Sequence, residues 1–107
     1  MKDIRVESKP MKDGIEVILN GELLFADSVE FMQKVPERVR GKGKSVVVNV
    51  EKLKFIDSSG LGALLYVSQA CNMQNQQVHI VNANPNVMNS LKSIKKVGAF
   101  HLHEAGE

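Results

Sequence analysis

The run Val46-Val47-Val48-Asn49-Val50 restricts the fold more than any other stretch of the chain. Four of its five residues are β-branched valines, so it reads as a strand and not a helix. It is apolar in both side-chain registers. A strand covered on both faces reads this way, as the central strands of parallel sheets do. A chain with such a strand must supply other strands beside it and helices to cover it. At 107 residues it has length for one domain, and 43% hydrophobic residues are enough for one ordinary core.

The flanking segments supply those elements. Ile4, Val6 and Ser8 alternate with charged residues as a short edge strand, and Lys9–Gly14 reads as a turn with Pro10 and Gly14 as breakers. Ile15, Val17 and Leu19 share one face of the next strand. Gly21 marks a bulge or turn, with Leu23 and Phe25 continuing the pairing. Asp27 and Glu30 resemble a capping box opening a helix whose apolar positions are Met32, Val35 and Val39. Pro36 inside that helix removes one hydrogen bond and predicts a kink or break over 33–36. After the valine strand, Leu53 and Phe55 are expected as apolar anchors. Residues 59–74 give the clearest helix, with one stripe at Leu61, Leu64, Leu65, Ser68 and Cys71 and a second at Ala63, Val67 and Ala70. Apolar over that much of its girth, it is buried, and Gly62 with Ala63 lets it approach the sheet. Val78–Val81 is the next strand. Asn84 and Pro85 start a last helix as cap and first residue. Its buried face is Val87, Met88, Leu91, Ile94 and Val97, and Gly98 ends it. Phe100 and Leu102 form a final short strand, and residues 105–107 a frayed tail. The order β β α β α β α β predicts an α/β domain over residues 1–107. It has a mixed sheet of four to five strands and three to four helices mainly on one face.

Several function classes are disfavoured. A formal net charge of +2 gives no footprint for nucleic acid. Arg38, Arg40, Lys42 and Lys44, interleaved with glycines, read as a solvated helix end and loop. The single cysteine, Cys71, permits no internal disulfide and sits on the buried stripe, as core and not as nucleophile. The N-terminus lacks the apolar stretch of a signal peptide, and no apolar run reaches the ~18 residues of a membrane span. The chain therefore reads as soluble and cytoplasmic. There is no Walker A loop and no dinucleotide fingerprint. His101 and His103 share a strand face as two metal ligands would, yet Glu104 points away and no further ligand completes a set, so they and His79 read as solvated or partly buried side chains.

The informative segment is Phe55-Ile56-Asp57-Ser58-Ser59-Gly60-Leu61-Gly62. A helix start offers unpaired N–H groups and about half a positive charge. Small residues at 58, 59 and 60 leave it open to a partner. A hydroxyl there is a favourable place for a phosphate, while Asp57 repels one, so modification changes the surface sharply. Read without any relative, Asp, Ser and Gly at this point also make an ordinary cap.

This octet, with the valine strand before it, resembles the signature of the STAS family, and more narrowly that of bacterial anti-sigma factor antagonists. Gly21-Glu22-Leu23 resembles the family's early turn, and Asn84-Pro85 its last helix start. The resemblance implies a non-enzymatic switch that needs no cofactor or metal. Ser58 would be the phosphorylated residue, Asp57 would orient it and Ser59 would cap the helix. Gly60, Leu61, Asn49 and Glu22 would support the site or contact the partner. It implies two partners: an anti-sigma factor that is also a serine kinase of the ATP-binding GHKL type, bound by the unmodified form, and a serine phosphatase that restores that form. No nucleic acid or membrane is implied, and the free chain is expected as a monomer. One position departs from the pattern. Phosphorylated antagonists usually carry an Asp after the early turn, where this chain has Leu24. That departure motivates the alternative, a constitutive adaptor of the same fold in a lipid-transport or signalling assembly. A small-molecule binder is a third reading, with no pocket specified in the sequence.

Overall fold

A computed structural model describes residues 1–104; the expected frayed tail lies outside the described residues. Five strands run β1 (Ile4–Met11), β2 (Gly14–Leu23), β3 (Ser45–Ile56), β4 (Gln77–Val81) and β5 (His101–Leu102). They lie side by side in that order. β1 is antiparallel to β2, and every later pair is parallel. Three helices make the crossovers: α1 (Phe25–Val39), α2 (Ser58–Met73) and α3 (Pro85–Lys92). A 3₁₀ turn at Lys95–Val97 leads into β5.

The valine strand is central, as expected, but it is covered on one face only. Val46, Val48 and Val50 are buried, whereas Val47 and Asn49 are half-buried. The buried side chains of all three helices join the same apolar cluster as Val46, Val48 and Val50. The opposite face carries Glu16, Ile18, Val47, Asn49 and His79, all partly open to solvent. A small sheet of mixed direction thus leaves one polar face wet.

β3 then changes its period. Between Asn49 and Lys52, and again between Leu53 and Phe55, it uses one residue more than β2 beside it. These two bulges space the buried residues by three, at Val50, Leu53 and Ile56. Phe55, expected as an anchor, is turned outward for this reason.

Other expectations are corrected by the local chemistry. Pro10 lies inside β1, opposite Ile15, because β1 is an edge strand where a missing N–H costs nothing. α1 starts at Phe25, not Asp27, and runs unbroken through the buried Pro36. Phe31, Val35 and Val39 are its buried apolar positions, and Met32 is half-buried. Asp27 does not cap α1. Its carboxylate accepts the Lys2, Asp3 and Ile4 N–H groups at 2.7, 2.6 and 3.0 Å, fixing the start of β1. α3 is capped by Asn84 as predicted, with the Val87 N–H on Oδ1 at 2.8 Å. It ends at Lys92, and Gly98, in the left-handed region at φ 79°, closes the 3₁₀ turn and not α3. Val97 is accordingly exposed.

Candidate functional site at the paired helix starts

β2 and β3 are parallel and end together, Leu23 beside Ile56. Each feeds a helix directly, so α1 and α2 begin side by side at the carboxyl edge of the sheet. In open sheets of this kind that edge is where binding sites form.

Asp57 holds the two starts together. It caps α2, accepting the Gly60 N–H on Oδ1 at 2.7 Å. Its other oxygen, Oδ2, accepts the Phe25 N–H at 3.0 Å, the first amide of α1. Its own N–H donates to the Leu23 carbonyl at 3.3 Å, and its carbonyl receives the Leu61 N–H at 2.8 Å. α1 has no cap from its own sequence, because Leu24 offers no side-chain acceptor. One carboxylate therefore meets the positive ends of two helices. Ser59 stands one position inside the helix and is not the cap.

Gly60 explains how closely α2 sits on β2. A Cβ there would overlap the Leu23 carbonyl oxygen and press on Ile56. Gly62, expected to make that approach, faces open space. Among described residues, Ser58 is the exposed hydroxyl at the first helical position of α2, and Leu61 is half-buried behind it.

The sequence-derived site is partly assembled. Asp57, Ser58, Ser59, Gly60 and Leu61 form one turn, and Glu22 is exposed on the rim, opposite Phe55 in β2–β3 register. Asn49 is elsewhere, on the open sheet face. There it donates to Glu16 at 3.0 Å and accepts from the Glu51 N–H at 3.0 Å and from Asn82 at 3.2 Å. Two aromatic residues are added: Phe25 is 72% exposed and Phe55 49% exposed. Val29, one turn beyond Phe25, is 55% exposed. Sequence periodicity had no means of finding them, since aromatic residues on amphipathic elements ordinarily read as core.

Cys71 is fully buried, and burial pushes its thiol up to about 11, which leaves it protonated and unreactive. Arg38, Arg40, Lys42 and Lys44 are all exposed. No described helix is long and apolar enough to cross a membrane.

Residues 8–105 match the family model of the STAS domain. The chain belongs to the STAS domain family. Its fold is shared with solved structures of low identity. One is the anti-sigma factor antagonist SpoIIAA in its unphosphorylated form, with TM-score 0.69 and 20% identity over 95% of this chain and 88% of that one. A second is an anti-sigma factor antagonist from Mycobacterium paratuberculosis, with TM-score 0.78 and 16% identity over 96% and 87%. A third is the murine Solute Carrier 26 family member A9 anion transporter, with TM-score 0.68 and 19% identity. There the likeness covers 95% of this STAS domain but 20% of the transporter. No curated protein sequence matches the chain.

Proposed function

We propose that this STAS domain is a phosphorylation-controlled protein-binding switch, acting by docking and not by catalysis. The unmodified surface around Ser58 binds an anti-sigma factor that is also a GHKL-type serine kinase, and so relieves that partner's hold on a sigma factor or other target. Phosphate on Ser58 releases the complex, and a serine phosphatase restores the binding form. The chain works in the cytoplasm as a free monomer.

The observation that carries this reading is the exposed Ser58 at the joint start of two helices, with Asp57 next to it in sequence and the exposed Phe25 and Phe55 at the same two strand-to-helix junctions. The exposed aromatics supply apolar docking area. A phosphate adds about −1.5 to −2 charges next to an existing carboxylate and amid that apolar area. Both effects oppose docking while leaving the core untouched. The anti-sigma antagonists of the same fold lend it family support.

The test incubates the protein with ATP and candidate kinases and maps the phosphate by mass spectrometry. Ser58→Ala is expected to bind the kinase and accept no phosphate, and Ser58→Asp to lose binding. Unchanged binding by Ser58→Asp defeats the switch. The second reading, a constitutive adaptor, is favoured by Leu24 and by the transporter that holds this fold as a small part of a longer chain. Phosphoserine 58 in protein isolated from cells excludes it.

A further inference from the structure

Charged residues make up 24% of the chain, yet no Asp, Glu, Lys or Arg occurs between Asp57 and Lys92. At that frequency so long a gap is a pattern. The whole of α2 lies inside it. Gly62, Tyr66, Gln69 and Met73 stand at i, i+4, i+7 and i+11 of α2 and are all exposed, Met73 at 87%. They form one ridge along the outside of the helix. Tyr66 and Met73 also line the groove between α2 and α1, where Glu37 and Arg40 already pair at 2.7 Å, so the border adds no net charge. An exposed ridge with tyrosine and methionine and no charge has the composition of an interface centre and not of a solvated helix face.

We propose that this ridge is covered by the same ridge of a second copy, α2 antiparallel to α2 across a two-fold axis. Two properties select a copy over another protein. A two-fold contact sets a surface against itself, so a ridge of one charge sign repels its own copy and an uncharged ridge does not. The ridge also fits itself. Its spacing is symmetric about the midpoint between Tyr66 and Gln69. Reversing one helix sets Met73 of each copy opposite Gly62 of the other, and Tyr66 opposite Gln69. Gly62 has open space where a Cβ would stand, and a long, flexible methionine fills such a hole. The tyrosine hydroxyl and the glutamine amide form a hydrogen-bonding pair.

The 16 residues of α2 span about 24 Å. One helix face of that length falls short of the roughly 1,200 Å² of a stable interface. The pair is therefore weak and exchanges with the monomer. In the same register Ser58 lies opposite Gln77 of the second copy, so pairing covers the phosphate acceptor. The monomer is then the form that meets the kinase, and the dimer is a store that the kinase does not modify. This last step rests on the switch proposed above; the pairing does not.

Sedimentation velocity of the unaltered chain from roughly micromolar to millimolar concentration is expected to show a reversible monomer–dimer equilibrium. Tyr66 is the chain's one tyrosine, and its ring NMR signals should shift over the same series. A monomer at every concentration overturns the proposal. So does a dimer that forms without that shift, since it uses another face. Gln69 lies beside the two-fold axis, so Gln69→Glu and Gln69→Lys each bring like charges together and should weaken pairing at least tenfold, with Tm unchanged. An equal mixture of the two variants should pair again; a mixture that stays monomeric overturns the proposal. The initial rate of Ser58 phosphorylation per chain should fall with concentration for the unaltered protein and hold for Gln69→Glu. Equal rates overturn the concealment while the pairing stands, and no phosphate on either chain defeats the switch alone.

Discussion

Asp57 Oδ2 stands 3.0 Å from the Phe25 N–H while Oδ1 of the same carboxylate holds the Gly60 N–H at 2.7 Å. One side chain thus caps the helix it opens and the helix beside it. Removing a cap costs about 0.5–2 kcal/mol, and Asp57 serves two helices. Asp57→Ala is expected to lose about 2 kcal/mol in urea unfolding. Faster hydrogen exchange at the Phe25 amide should accompany it. A loss confined to α2, with Phe25 exchange unchanged, would show that the second cap contributes nothing.

The octet 55–62 announced this turn in the sequence, and the order of elements was legible because each apolar run carried its own period. What the sequence concealed is non-local. Asp27 looks like a local helix cap, yet its three acceptor bonds go to residues more than twenty positions away. Phe55 looks like core until two bulges in β3 turn it outward. Asn49 reads as part of the site only through family resemblance, and the alternation of β3 places it on the open sheet face. The sequence predicts a kink or break at Pro36, but α1 runs unbroken through it and buries the residue. The flat penalty for an internal proline did not include that packing.

The two glycines of the α2 start separate close approach from flexibility. A methyl at Gly60 meets the Leu23 carbonyl oxygen, which is backbone and cannot swing aside. Gly60→Ala therefore forces α2 off β2 and is expected to cost more than about 2 kcal/mol, as overpacking does. Gly62 has open space and lies mid-helix. Gly62→Ala is expected to stabilise by about 0.5–1 kcal/mol. Denaturant midpoints of the two variants should move in opposite directions.

Asp27 links acid stability to β1. Burial opposes its charged form, but the three N–H donors and the nearby N-terminal amine outweigh this and hold its pKa below the ordinary value. The unfolded chain then binds the proton more readily than the folded one. The stabilisation is complete above about pH 4, the ordinary carboxylate range, and is lost as the pH falls through the lower, folded value. Asp27→Asn keeps one acceptor oxygen, leaves buried N–H groups without a partner and is expected to cost about 1–3 kcal/mol at pH 7. Between pH 5 and 2 its unfolding midpoint should fall less steeply than that of the unaltered protein. Parallel curves would mean that Asp27 does not carry the acid sensitivity.

Phe25 tests whether the apolar rim is a docking surface. Its ring is 72% exposed, so truncating it removes little from the core, and surface changes of this kind stay within about 0.5 kcal/mol of neutral. At an interface the same truncation removes an aromatic anchor, and such anchors are worth about 2 kcal/mol or more. Phe25→Ala is therefore expected to leave Tm nearly unchanged and to weaken capture of the kinase roughly thirtyfold, the equivalent of that energy. Phe55, 49% exposed and itself part of β3, should show the same split less cleanly. The measurement is a titration of each variant into the purified kinase beside a thermal melt. Affinity held within twofold for both variants would move the docking face away from the helix starts, leaving Ser58 exposed beside a surface its partner does not use.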